Sequence, residues 1–234
     1  MNTIAEYTNA GPGFLPPPRY ADLIQSLPPG SRLSLAEITW QEYENLLVEL
    51  DEKPHLRLTY DHGDLDIMTL SPEHEGYSRL FTHFIQILTE ETDTDFIALG
   101  STTLRDKLVE SGVEADDCYY IGDFADVAGK KRLDLSIDPP PDLAVEIDIT
   151  NRSLGKLPIY ALLKVQELWR FDGSQMQFYQ LKGAHYVEQD QSERFAFLTP
   201  EALKPFLEQG RRRGINAMRH AFRDWVQAHL PERS

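Results

Sequence analysis

The chain of 234 residues has little of several things, and each scarcity excludes something. It has one cysteine, Cys118, so it holds no internal disulfide framework and no structural zinc site built from several thiolates. No apolar run approaches the roughly 18 residues of a membrane-spanning helix, and no basic-then-apolar leader opens the chain. Neither a membrane span nor secretion is therefore expected, and the cytoplasm is the expected home. Cations are scarce: 23 Lys and Arg stand against 38 Asp and Glu, a net charge of −15. Such a surface repels nucleic acid on average, because non-specific affinity comes mainly from cations meeting phosphates. Any contact with DNA or RNA has to come from a local patch or a bound cation. Neither GxxxxGK[ST] nor GxSxG occurs, which argues against the usual P-loop NTPases and serine hydrolases.

What is present suits one domain with a terminal extension. The composition is 41% hydrophobic and 10% aromatic, enough for a sizeable core. Residues 1–30 carry GPGFLPPP and SLPPG and read as a flexible arm, with a strap laid on the surface as the alternative. Residues 31–199 form the expected domain, and 200–234 a basic helical extension packed on it. Residues 201–234 hold seven Lys/Arg against four acids, a balance of +3, while residues 1–200 hold 16 against 34, or −18.

The patterning predicts a helix over Thr39–Leu50, then a hairpin around the Asp-His-Gly-Asp turn of HLRLTYDHGDLDIMTL. A long helix follows, with Ser71 as N-cap and Pro72 at its first position. Strands are expected at Phe96–Leu99, around Leu104, at Val113–Ile121 and at Leu143–Ile149. A short helix with Ile159–Leu163 and further strands, paired through Asp172-Gly173, come next. Helices over Pro200–Glu208 and Gly214–Leu230 close the chain. The expectation is a mixed α/β fold: a central mixed sheet flanked by helices, with an N-terminal hairpin and C-terminal helices.

The segment Asp142–Ile149 alternates without error. Leu143, Val145, Ile147 and Ile149 point one way, and Asp142, Ala144, Glu146 and Asp148 the other. One reading is a half-exposed strand with an acidic outer face. Against it, side chains two apart on a strand lie roughly 7 Å from each other, so three like charges repel unless a cation or cationic side chain joins them. Asp is also depleted on strand faces. Hard divalent cations such as magnesium take carboxylate oxygens. Lys156, ten residues after Glu146 near the start of the next helix, can reach back over the strand end. Upstream, Glu114 and Asp116 share a face of the expected Val113–Ile121 strand. If the two strands are neighbours, Asp116 and Glu146 can bracket one ion.

Other candidates have plainer readings. Asp117 and Asp123 read as loop or opposite-face charges, and His74 as a surface or helix-capping histidine with a general base as the rival. Tyr160, Trp169 and Tyr179 read as core or sheet aromatics. The basic loop GKKR at 129–132 reads as a solvated turn or a phosphate contact. Cys118 lies among acids that raise a thiol's pKa, so it is not expected to be a nucleophile.

The ordered segments GVEADDCYYI, DPPPDLAVEIDIT and RSLGKLPIYALLKVQELWRFDG, with YDHGDLDIMTLSPEHE upstream, resemble the Uma family of restriction endonuclease-like proteins in the PD-(D/E)XK superfamily. The resemblance covers about residues 35–185. It implies a restriction-endonuclease-like core with the active site on two neighbouring strands. Asp116 matches the family's first acid and Glu146 its strand glutamate. The signature lysine position holds Asp148, and the lysine is displaced to Lys156. The first-helix acid falls at Glu75. Two departures stand out: Ala115 replaces the signature proline, and Lys164 replaces a glycine common among relatives.

The resemblance implies a metal-dependent endonuclease hydrolysing DNA phosphodiester bonds. Mg²⁺ (or Mn²⁺) would sit on Asp116, Glu146 and Asp148, with Asp116, Glu146, Lys156 and Glu75 as the catalytic set. DNA would be met through the basic C-terminal helix and loop 129–132. A homodimer is expected, since cleaving a duplex favours paired sites. The alternatives are a catalytically silent binding or regulatory protein on the same fold, and a metal hydrolase acting on small phosphodiesters.

Overall fold

The computed structural model describes residue 24 and residues 27–50, 55–149 and 155–231. The arm over residues 1–30 lies mostly outside the described residues. Of that stretch, Ile24 is buried, and the Pro28 carbonyl accepts from the Thr69 hydroxyl at 2.6 Å.

The first sheet is antiparallel. Its strands are β1 (Arg32–Leu35), β2 (Leu56–Asp61), β3 (Asp64–Thr69), β5 (Thr103–Asp106) and β6 (Ser111–Glu114), in the order β1-β3-β2-β6-β5. The β2–β3 hairpin forms where expected. His62 (φ 49°) and Gly63 (φ 101°) are both left-handed, as a two-residue turn matching the strands' twist demands. Helix α1 (Trp40–Leu50) covers one face of this sheet. Its start is fixed by a reciprocal cap, Thr39 N–H donating to Glu42 Oε2 and Glu42 N–H to Thr39 Oγ1. Tyr43, Leu46 and Leu50 pack on Leu56, Leu58, Tyr60, Leu65 and Ile67. Gly112 makes room for this helix, since a Cβ there would lie 2.4 Å from the Tyr43 hydroxyl.

The second sheet is mixed. It contains β4 (Phe96–Ala98), β7 (Asp117–Ile121), β8 (Leu143–Ile147), β9 (Glu167–Phe171), β10 (Met176–Lys182) and β11 (His185–Gln189), in the order β11-β10-β9-β8-β7-β4. Among the described residues β8 and β9 pair parallel and the other neighbours antiparallel, with α3 (Lys156–Leu162) between β8 and β9 in the chain. Helices α2 (Pro72–Glu91), α4 (Pro200–Arg213) and α5 (Ile215–His229) cover one face. There Phe81, Phe84, Val145, Trp169, Leu207 and Phe222 share a core. The cap on α2 is as expected: the Ser71 hydroxyl accepts from His74 N–H, and Pro72 opens the helix. The opposite face carries Cys118, Ala144 and Leu168 against Ile159 and Tyr160 of α3 and Leu104 and Val113 of the first sheet.

One expectation changes. Val113–Ile121 is two strands in two sheets: the chain leaves β6 after Glu114 and enters β7 at Asp117. At the crossing Ala115 is buried and its N–H donates to the Thr102 carbonyl at 3.3 Å. A proline could not make that bond, which is a physical reason for alanine at this place. Of the two readings of the acidic strand, the half-exposed one is excluded, in line with the repulsion argued against it. Every residue of the strand is buried, with Val145 packed among side chains of α2 on one side and Ala144 against Ile159 and Tyr160 of α3 on the other. Lys164, the second departure from the family resemblance, is left-handed (φ 60°), the conformation glycine adopts without strain. Among the described residues no helix is long and apolar enough to cross a membrane.

Candidate active site

The crossing between sheets places the acids. Strands β7 and β8 are antiparallel with Asp117 opposite Val145, so one step further Asp116 faces Glu146. Asp116 is fully enclosed. Its Oδ1 accepts from Arg57 Nε at 3.0 Å, and its Oδ2 accepts from the Ile147 N–H at 2.8 Å and lies 3.0 Å from His74 Nε2. Burial opposes its charge. The hydrogen bond and field of His74, with the charges of Lys156 and Arg57, outweigh that and hold the carboxyl at about 2.

Glu146 projects from the middle of the same cluster. Its Oε2 accepts from Lys156 Nζ at 2.7 Å and its Oε1 from the Tyr160 hydroxyl. Burial pushes its pKa up to about 7 against the pull of Lys156, and the nearby charges of Asp116 and Asp148 add to the rise. Lys156 is the first residue of α3 and is buried. Its pKa is raised: burial opposes its charge, but Glu146, Asp116 and Asp148 surround it with negative charge. Asp148 also faces this cluster, and its Oδ2 accepts from Arg170 Nε at 2.5 Å. Arg170 in turn donates to Gln177 Oε1 at 2.8 Å.

Arg57, on the site-facing side of β2, binds the remaining acids together. Beyond Asp116 it lies 3.6 Å from Glu114 Oε1 and 4.0 Å from Glu75 Oε1. Burial raises the Glu114 pKa to about 7, opposed by Arg57 and by the Leu58 N–H on its Oε2. Glu75, in the first turn of α2, is at the rim with its side chain 44% exposed. A cleft of about 230 Å³ opens over this corner, lined by Arg57, Thr59, Asp61, Asp64, Lys156 and Ile159 among others.

The structure thus brings together Asp116, Glu146, Lys156 and Asp148 and leaves Glu75 at the edge. Among the described residues no group of three or more His, Cys, Asp or Glu side chains stands ready-made to hold a metal ion. Protein cations stand between the acids: Arg57 on Asp116, Lys156 on Glu146, Arg170 on Asp148. The donor set still fits a hard divalent cation in kind. A carboxylate offers roughly four lone-pair directions. Asp116 takes three partners and Glu146 two, so both keep acceptor capacity for an oxygen-seeking ion.

Several groups differ from their plainer readings. His74 is neither a surface group nor only a capping one. It is 1% exposed, its backbone meets Ser71, and its ring meets Asp116, leaving Nδ1 buried without a partner. Asp117 is buried on the far side of the strand, held by Thr82 Oγ1 at 2.9 Å and the Tyr119 hydroxyl, and burial raises its pKa. Tyr160 is a core aromatic as read, yet its hydroxyl serves Glu146. Lys156 and Tyr160 are four apart on one helix face, a spacing that could have flagged the pair. Arg57 gave only the signal of a cation on the non-core side of an alternating strand. Arg170 lies opposite Glu146 in the β8–β9 register. The Cys118 thiol is buried and its pKa is raised by that burial. In the basic loop, Lys130 pairs with Asp138.

The family model described as "Uma2: Putative restriction endonuclease" matches residues 40–209. The chain belongs to the Uma2 family. Its mixed sheet with helices against its face agrees with the restriction-endonuclease-like core that the family resemblance implied, and membership supports a nuclease. The solved structures include a likeness to a crystal structure titled as a putative nuclease belonging to DUF820, from Anabaena variabilis ATCC 29413. The two are 17% identical over 73% of this chain and 99% of that one, with a TM-score of 0.49. No curated protein matches the chain.

Proposed function

We propose that this Uma2 protein is a divalent-metal-dependent endonuclease that hydrolyses phosphodiester bonds of DNA, with Mg²⁺ or Mn²⁺ held by Asp116 and Glu146 and by Asp148 just past the end of β8. The observation that supports it is the gathering of Asp116, Glu146 and Lys156 in one buried cluster beside an open cleft. Bound there, such an ion supplies a water of lowered pKa and polarises the phosphoryl oxygens. The protein's own groups do the rest. His74 and the Ile147 N–H fix the Asp116 carboxylate, and the Tyr160 hydroxyl fixes Glu146. Lys156 keeps its proton among the acids, so it brings positive charge to the place where phosphoryl charge grows. Glu75 at the rim shares Arg57 with Asp116 and completes the catalytic set.

For the DNA contact, exposed Arg212 and Arg213 at the end of α4 are the stronger choice, with Lys131 in the basic loop. Arg211 and Arg223 already face Glu73, Glu90 and Glu91 on α2. A cytoplasmic homodimer completes the proposal.

One observation favours the silent-binder reading: each acid in the cluster already has a cationic partner. Plasmid nicking separates the two. The nuclease reading expects cleavage with Mn²⁺ or Mg²⁺, none with EDTA, and loss of at least about a hundredfold in Asp116→Asn and Lys156→Met. A wild type that leaves supercoiled and linear DNA intact at millimolar Mn²⁺ overturns it.

A further inference from the structure

The two oxygens of Asp116 are held differently. Oδ2 is closed by two donors on fixed scaffolding, the Ile147 amide of the sheet and the His74 ring at the start of α2. Oδ1 faces the guanidinium of Arg57, whose side chain is 4% exposed and which also lines the cleft. The same guanidinium lies within 3.6 Å of Glu114 and 4.0 Å of Glu75, so it has two other carboxylates to turn to if it leaves Asp116. Lys156, by contrast, is bonded to Glu146 at 2.7 Å and not to Asp116.

Resting on the metal-site reading above, we propose that Arg57 is the resident counter-cation of Asp116, a positioning residue that a divalent ion must displace from Oδ1, so that metal uptake is an exchange of a guanidinium for an ion. In the ion-free protein Arg57 neutralises Asp116 and Glu114, which would otherwise repel across the crossing between the sheets. When the ion arrives, the guanidinium shifts toward Glu114 and Glu75 and stays in the cleft wall. Arg57 therefore weakens metal binding while stabilising the empty site. A merely structural ion pair would do the opposite to binding: its loss would disorder Asp116 and weaken the ion's hold.

The test is Mn²⁺ titration of EDTA-stripped protein by calorimetry and electron paramagnetic resonance, with thermal unfolding alongside. Arg57→Gln is expected to bind Mn²⁺ about tenfold or more tightly than wild type, from removal of a charged competitor. It is also expected to melt lower without metal and to recover when Mn²⁺ is added. Arg57→Lys, which keeps the charge without the fork, falls between the two. Mn²⁺ affinity in Arg57→Gln equal to or below wild type overturns the proposal. If that variant does not fold even with Mn²⁺, Arg57→Lys decides by the same criterion. Plasmid nicking on the same samples keeps the two readings apart. Wild type that cleaves while the variants bind no more tightly removes the role of Arg57 alone. Tighter binding with no cleavage by wild type removes the nuclease alone.

Discussion

Two sets of ion pairs in this molecule join the same kinds of groups at similar distances, and they do different things. On the outside, Arg211 meets Glu73 and Arg223 meets Glu91, both at 3.3 Å, tying α4 and α5 to α2. The arginine side chains are more than a third exposed, so water and salt screen them. On the inside, Arg57 meets Asp116 at 3.0 Å and Lys156 meets Glu146 at 2.7 Å, with the carboxylates at 2% exposure or less. There each charge depends on its partner, because no water replaces it. Burial, far more than distance, separates a decorative contact from one that fixes the charge state of a site.

The largest break in that comparison is Asp116→Ala. It leaves Arg57 with a lost counter-charge and the Ile147 amide without an acceptor. Urea denaturation of the metal-free protein is expected to show a loss of about 3–5 kcal/mol. A loss below about 1 kcal/mol would place Asp116 among the outer pairs.

A smaller effect is set by pH. Asp116 has a folded pKa of about 2, below its ordinary 3.8. Its stabilisation is present above pH 4 and lost as pH falls toward 2. Glu114 and Glu146 go the other way, raised from 4.5 to about 7. Folding favours their protonated forms, so their contribution is full below pH 4.5 and lost as pH rises through 7. Glu114→Gln keeps an oxygen for the Leu58 N–H and removes the charge. It is expected to stabilise the metal-free protein by about 1–3 kcal/mol at pH 8 and to change little at pH 5. Equal urea midpoints at pH 8 would show that Arg57 already compensates Glu114 in full.

The smallest effect sharpens the outer half of the comparison. Arg223→Ala is expected to cost at most about 1 kcal/mol, and less in high salt. A larger, salt-independent loss would mean that the α2–α5 seam relies on charge and not on Phe84 and Phe222, whose rings meet at 4.8 Å.

Much of this was legible in the chain. The β2–β3 turn, the Ser71-Pro72 cap and the alternation of β8 each rest on local rules that tertiary context left intact. The acids were legible as acids: alternation put Glu146 and Asp148 on one face and predicted that a cation must join them. Lys156 was legible as one such cation and is the one on Glu146, but the arginines on the two aspartates were not. Arg57 lies 59 residues from Asp116 and Arg170 lies 22 from Asp148. No local periodicity encodes contacts between segments so far apart in the chain. The strand break at Ala115 was hidden for the same reason, since Val113–Ile121 satisfies a strand pattern throughout and only the Thr102 and Ile147 partners divide it. His74 looked like a capping residue because its backbone is one, while its ring faces inward.

Diffraction from crystals grown with Mn²⁺, recorded at the manganese absorption edge, tests the central claim most directly. The account predicts an anomalous peak bonded to carboxylate oxygens of Asp116 and Glu146, with the Arg57 guanidinium moved off Oδ1. Crystals saturated with Mn²⁺ that show no peak there, and keep the Arg57–Asp116 and Lys156–Glu146 bonds intact, would contradict it.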